Sequence, residues 1–307
     1  MNIAMTGSNG FIGNHLKHLI LSMGFKLITI SNNKYENDKN NYSYDEFFSG
    51  STNLKIDIII HLASPNYNHA NDDSLKKGIS GLTNNIISNM HKYDCKKIIY
   101  FSSAKVYGEP SFKEIIYDES SSLKPTTEYG KEKVKAEGVI QLFSKDRSLE
   151  YVIYRMPMVY GPNMNSNIGK IFYLIDKSCP IPFFITKKNY KKSLLSIENI
   201  KKCIEYNLKN PDSINDDIIN LADNGFFSFE DILKNYKKIS KSKSLIFKLP
   251  NFVLTILVKI PFLEKPITKL FGNFQLNNDK INKVLEKKLL NTNEGFFMLT
   301  NSNNSND

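Results

Sequence analysis

Apolar runs of about five or six residues recur along the chain and are separated by longer stretches in which apolar positions return every three or four residues. The runs predict strands at about 2–6, 26–31, 57–62, 97–102, 150–155 and 217–221. The intervening amphipathic stretches predict helices beginning near Gly13, Ser74, Glu128 and Lys170. Runs such as Ile58-Ile-Ile60 and Ile98-Ile-Tyr-Phe101 are continuous rather than alternating, as strands covered on both faces require. Strand and helix in alternation give an α/β fold, a doubly wound parallel sheet of Rossmann type with helical crossovers. Between the second and third strands, residues 32–53 are rich in Asn, Lys, Tyr and Ser, so any helix there must be short. The alternation fades from about 162 to 191 and again after 223. Residues 1–161 with about 192–222 are therefore expected to form the doubly wound domain, and about 162–191 with 223–307 a smaller C-terminal lobe packed over the carboxyl ends of the strands, where an open α/β sheet binds ligands.

The first predicted strand runs directly into Gly7-x-x-Gly10-x-x-Gly13 and the start of a helix. Such a turn forms a pyrophosphate cradle: backbone N–H groups and the positive helix end face the phosphates, and glycines let the backbone approach. Its expected contacts are Gly7, Gly10 and Gly13. Some 120 residues further on, Tyr129 and Lys133 stand four apart and share one helix face. A phenol and an ammonium so placed, downstream of a dinucleotide cradle, point to a nicotinamide oxidoreductase. Hydride moving at the nicotinamide needs a proton moving on the substrate oxygen, and a free phenol, with a pKa of about 10, is a poor acid–base group near neutrality. A neighbouring lysine favours phenolate and brings that pKa toward working pH. Ser103, at the end of the fourth strand, is placed to hold the substrate oxygen, with Ser102 as the alternative if the register slips.

Composition narrows the setting. The 307 residues are enough for a large core, and the net charge is +10. Lysines spread along the chain do not form a stacking-and-phosphate surface, so a nucleic-acid partner is not expected. The dense cluster Lys187, Lys188, Lys191 and Lys192 suits a solvated loop or a nucleotide diphosphate. Cys95, Cys179 and Cys203 show no metal spacing and His61 reads as a core histidine, so no metal is expected. No signal sequence and no run of ~18–20 apolar residues is legible, which makes a reducing cytoplasm the expected location. Residues 249–263 are strongly apolar but broken by prolines. A buried helix of the substrate lobe is the plain reading, and contact with a membrane surface, supported by basic flanks, is the alternative.

Five ordered motifs carry a resemblance: Thr6-Gly-Ser-Asn-Gly-Phe-Ile-Gly13, Asp57-Ile-Ile-Ile-His-Leu-Ala63, Ser102-Ser-Ala-Lys-Val-Tyr-Gly108, the Tyr129/Lys133 pair, and Arg155-Met-Pro-Met-Val-Tyr-Gly-Pro162. Together they resemble the extended short-chain dehydrogenases/reductases, the NAD-dependent epimerase/dehydratase family acting on nucleotide sugars. The resemblance implies Ser103, Tyr129 and Lys133 as the catalytic residues and Ser103, Ala104, Lys105, Met158 and Lys192 as substrate contacts. For the cofactor it implies Gly7, Asn9, Gly10, Phe11, Ile12 and Gly13, with Ser31 and Asn32 after the second strand, Leu62, Ala63 and Ser64 after the third, Met156 at the end of the fifth, and Tyr129 and Lys133 themselves. Nucleotide-sugar 4,6-dehydratases carry Thr-Asp-Glu where this chain has Ser103-Ala104-Lys105, so dehydration is disfavoured. Met158 replaces the asparagine of many UDP-sugar epimerases, and Lys192 stands where related enzymes often have arginine. Ser31-Asn32-Asn33-Lys34 lacks the acid that would grip an adenosine ribose, which tilts the cofactor from NAD toward NADP. The second half is similar to a bacterial polysaccharide branch. That implies a reductase of a 4-keto, UDP-linked N-acetylated deoxyhexose, or alternatively a nucleotide-sugar 4-epimerase with retained NAD. The family also implies a homodimer.

Overall fold

The computed structural model describes residues 1–32, 38–64, 72–147, 149–184, 190–250, 252–253, 256, 259–260, 267–285 and 288–304. Its chain divides into two compact units. The first comprises Met1–Gly108, Ser122–Met156 and Lys201–Ile219, and the second Glu109–Ser121, Pro157–Ile200 and Asn220–Asp307.

The first unit is built on seven strands: β1 (Asn2–Thr6), β2 (Lys26–Ser31), β3 (Asn41–Ser43), β4 (Ile58–His61), β5 (Lys97–Ser103), β6 (Glu150–Met156) and β7 (Asp217–Asn220). Their order is β7-β6-β5-β4-β1-β2-β3, with β3 through β6 paired in parallel. The chain winds outward one way from β1 through β2 to β3, then returns to β4 and winds the other way. That reversal between β1 and β4 is where an open α/β sheet binds ligands, beyond the carboxyl ends of its strands. The helices are α1 (Phe11–Ser22), α2 (Tyr44–Ser49), α3 (Asp72–Asn89) and α4 (Glu128–Arg147). All four residues of β4 and the first six of β5 are buried, as their unbroken apolar runs require. One core gathers Ile28, Ile59, Ile79, Ile86, Ile98 and Ile153 with Phe47, Tyr93 and Tyr100.

The sparse stretch after β2 contains more order than its composition predicts. β3 adds an edge strand beside β2, and α2 is closed by a capping box in which Ser43 and Glu46 satisfy each other's backbone N–H groups. The Ser-x-x-Glu spacing was the available signal. Lys34 lies outside the described residues.

After α5 (Asn167–Asp176) and α6 (Ile197–Lys209), the chain reaches α7 (Phe229–Ile239), and the second unit packs α5, α7 and the C-terminal helix Thr292–Asn304 around aromatic rings. Phe172 and Tyr236 stack at 3.8 Å, and Phe296 meets Tyr236 edge-on. A buried Asp223 ties four segments together. It accepts hydrogen bonds of 2.7 Å from the Tyr160 hydroxyl, the Ser196 N–H and the Asn199 amide, while Asn199 also holds the Leu290 backbone. Burial raises its pKa to about 6. The apolar stretch 249–263 does not match the buried helix predicted for it at the residues described: Phe252 is 65 % and Ile256 57 % exposed. Most of its remaining residues lie outside those described.

Candidate active site

The glycine turn forms as its spacing predicts. β1 ends at Thr6, Gly7 takes a left-handed backbone (φ 71°), and α1 opens at Phe11. A Cβ on Gly7 would lie 2.8 Å from the Ala63 nitrogen, and one on Gly13 only 2.2 Å from the Gly7 carbonyl oxygen. The turn therefore closes against β4 and under α1 in a way no side chain allows. Gly10 is the helix N-cap, with no side-chain cap and no acid in the first turn. The N-terminal N–H groups are thus left by the chain for an outside acceptor. Asn9 and Gly10 are exposed, Phe11 and Ile12 half-buried. This cradle fits a dinucleotide pyrophosphate.

Behind the cradle runs a hydrogen-bond relay that the sequence motifs did not reveal. The Ala63 N–H donates to the Thr6 hydroxyl (3.2 Å), which lies 2.7 Å from His61 Nδ1. His61 Nε2 lies 3.0 Å from the Thr83 hydroxyl, and that hydroxyl donates to the Ile79 carbonyl at 2.8 Å. With the Thr83 proton committed to Ile79, His61 donates from Nε2 and accepts at Nδ1. Full burial, aided by Lys133, holds its pKa down at about 3. His61 is a neutral core histidine, as expected, and a fixed spacer between β1 and α3.

At the end of β2, Ser31 is half-buried and accepts from the Asn41 amide, which also bonds Thr29. Asn32 is exposed. Leu62 and Ala63 are half-buried and Ser64 exposed after β4. Met156 ends β6, buried.

The three candidate catalytic residues come together. Ser103 closes β5 and caps the single turn Ala104–Val106, where it accepts from the Lys105 N–H. Its hydroxyl hydrogen-bonds the Tyr129 side chain. Ser102 is buried and its hydroxyl donates to Glu137, so of the two serines Ser103 is the one beside the tyrosine. Gly130 lets α4 approach: a Cβ there would meet the Lys105 carbonyl oxygen at 2.6 Å. Lys133 lies one turn along α4, 2 % exposed, and donates to the Phe101 carbonyl at 2.7 Å. Its ammonium sits 4.6 Å from the Tyr100 ring centroid and 5.8 Å from that of Tyr129. Desolvation lowers its pKa to about 7 against the pull of Glu137. The expected lowering of Tyr129 does not appear: burial raises its pKa and outweighs the Ser103 bond.

Under these residues lies a buried ion pair that motif reading also missed. Glu137 takes Arg155 in a fork, with Nη2 to Oε2 at 2.7 Å, and Arg155 Nη1 donates to the Tyr107 hydroxyl at 2.9 Å. It joins the Arg155 and Tyr107 motifs to α4. The signal available was Glu137 at four residues from Lys133 on one helix face.

Of the candidate substrate contacts, Ala104 is buried and Lys105 half-buried, its amine 5.9 Å from the Tyr129 ring centroid. Met158 and Lys192 belong to the second unit. Met158 is 41 % exposed, whereas Lys192 is buried, donates to the Lys269 carbonyl at 2.6 Å, and is lowered by burial to about 8. Lys187 and Lys188 lie outside the described residues. Among the described residues no cluster of potential metal ligands occurs, and no helix is long and apolar enough to cross a membrane.

Known proteins resemble this chain in sequence and in fold. The chain is 27 % identical over 227 residues to the UDP-glucose 4-epimerase of Vibrio cholerae, covering 70 % of this chain and 68 % of that protein. It is 30 % identical over 191 residues to a putative UDP-glucose 4-epimerase of Methanocaldococcus jannaschii, covering 57 % of this chain and 62 % of that one. The chain thus matches about two thirds of the first relative and less of the second. The fold is shared with the UDP-N-acetylglucosamine 4-epimerase of Bacillus cereus, at a TM-score of 0.78 and 16 % identity over 98 % of this chain and 99 % of that one. Residues 3–222 match the model of the NAD dependent epimerase/dehydratase family, which takes in the cradle, the Ser103–Tyr129–Lys133 group and Arg155, and the chain belongs to that family.

Proposed function

We propose that the chain carries out nicotinamide-dependent redox chemistry at C4 of a nucleotide sugar, as a 4-epimerase that keeps its cofactor. The observation that carries this reading is the meeting of Ser103, Tyr129 and Lys133 at the carboxyl ends of the strands whose first turn forms the cradle. Gly7, Gly10 and Gly13 hold the pyrophosphate, and Ser31, Asn32, Leu62, Ala63, Ser64 and Met156 border the rest of the cofactor. Bound nicotinamide supplies a hydride acceptor and, oxidised, a positive ring. Tyr129 takes the proton from the C4 hydroxyl and later returns it, Ser103 holds the C4 oxygen, and Lys133 supports the phenolate as its own protonation is restored. Ala104 and Lys105 offer no carboxylic acid for eliminating water, which argues against dehydration. Met158 and Lys192 are retained as substrate contacts and the second unit as the substrate lobe. A homodimer in the cytoplasm completes the proposal.

A second reading, reduction of a 4-keto nucleotide sugar for surface-polysaccharide synthesis, is favoured by one feature. The end of β2 has Ser31 bonded to Asn41 where an acid would exclude a 2′-phosphate, which suits an exchangeable NADP. Denaturing the purified protein and identifying released nicotinamide separates the two. Stoichiometric NAD supports the epimerase. An empty protein that binds NADPH more tightly than NADH supports the reductase. Absence of any nicotinamide binding refutes both.

A further inference from the structure

From Ile232 to Leu263 the chain carries seven lysines and neither aspartate nor glutamate. In the second unit, Lys234, Lys237, Lys238 and Lys241 line an open hollow of about 450 Å³ with Ser242 and Ile246, at the C-terminal end of α7. Lys234 is engaged by Glu230 and sits 5.8 Å from the Phe183 ring centroid. The acid of the neighbouring α5, Asp176, is occupied by the Tyr236 hydroxyl at 2.8 Å. Of the other lysines, Lys238 and Lys241 are exposed and Lys237 is half-buried. Directly after them come large apolar side chains left in water: Leu245 is 62 % exposed, Phe247 37 %, and the exposed Phe252 and Ile256 follow. Single exposed apolar residues are ordinary, but four within twelve residues, directly after a cluster of lysines, are not.

We propose that Lys237, Lys238 and Lys241 with Leu245, Phe247, Phe252 and Ile256 form a docking surface for an anionic phospholipid bilayer. Lysines meet the headgroup phosphates, while Leu245, Phe247, Phe252 and Ile256 enter the boundary of the acyl region. The charge selects an anionic partner. The aliphatic members select a bilayer over a nucleic acid, because leucine and isoleucine offer bases no stacking face. This inference is independent of the catalytic reading and concerns where the enzyme works.

The test sediments the full chain with phosphatidylcholine vesicles, with and without phosphatidylglycerol, at low and high salt. Binding is expected with phosphatidylglycerol alone and should weaken with salt. Lys237→Glu/Lys238→Glu/Lys241→Glu should reduce it by about 100-fold or more, and Leu245→Ser/Phe247→Ser by about tenfold. Lys238, Lys241, Leu245 and Phe247 are exposed and Lys237 is half-buried, and unchanged urea unfolding would show that the fold is intact. If a variant fails to fold, the wild-type comparison of vesicles still decides. Wild-type protein that ignores phosphatidylglycerol, or binds both vesicles equally, overturns the proposal. So does tighter binding to duplex DNA than to vesicles, undiminished in Leu245→Ser/Phe247→Ser.

Discussion

Lys133 places an ammonium in the core beneath β5, and its cost is measurable as a pH dependence of stability. In the unfolded chain a lysine titrates near 10.5, whereas burial brings Lys133 to about 7 in the folded, cofactor-free protein. Below pH 7 both states bind the proton and folding bears the whole penalty. Between 7 and 10.5 the unfolded chain alone holds it, so stability rises with pH, and above 10.5 the penalty is gone. At about 1.4 kcal/mol per pKa unit the full span is roughly 5 kcal/mol, of which about 2.5 kcal/mol is recovered between about pH 6.5 and 9. Lys133→Met keeps the stem and deletes the charge. Its cofactor-free form should lack that rise, and near pH 6.5 it should match or exceed the wild type, with the orphaned Phe101 carbonyl costing about 1–3 kcal/mol in the other direction. Urea unfolding at the two pH values, read as wild type minus variant, isolates the effect, since the buried thiols of Cys95 and Cys203 contribute equally to both. An identical pH dependence in the two proteins would refute the reasoning.

Two further outcomes follow from the same neighbourhood. Tyr129→Phe should retain nicotinamide binding while turnover falls by about 10²–10⁴-fold, because the proton path is cut and the cradle is untouched; steady-state kinetics beside a cofactor titration read both, and near-normal turnover would remove the tyrosine from the mechanism. Glu137→Ala should cost about 3–5 kcal/mol by leaving the Arg155 guanidinium buried without its partner, and Glu137→Ala/Arg155→Met should recover part of that in denaturant melts; a loss below about 1 kcal/mol in the single variant would show the pair to be solvated.

Most of the sheet was legible because each strand is a short apolar run with both faces buried, so pattern and burial coincide. The cradle was legible because its backbone demands glycine, and the Tyr129/Lys133 pair because helical spacing puts the two on one face. β3 was not, since an edge strand of Asn-Tyr-Ser buries little and its pairing is decided by neighbours rather than by its own residues. The relay through Thr6, His61 and Thr83 and the Glu137–Arg155 pair joins residues 22 to 55 apart in sequence or on separate elements, where local spacing carries no information. The setting of Lys192 was not legible either: a charge in a loop-like stretch reads as solvated, yet the side chain is buried with its amine on the Lys269 carbonyl.

The two units are interleaved along the chain: the second takes residues from 109–121, 157–200 and 220–307, and β7, the outermost strand beside β6, is not reached until Asp217. As the polypeptide leaves the ribosome, the first unit must hold an unfinished edge while two segments belonging to the other unit emerge and wait. Neither unit can close before Ile219 has been made, so the nascent chain needs protection longest at the exposed flank of β6. Breaking the gene at any single point to obtain one unit alone would always carry away pieces of the other.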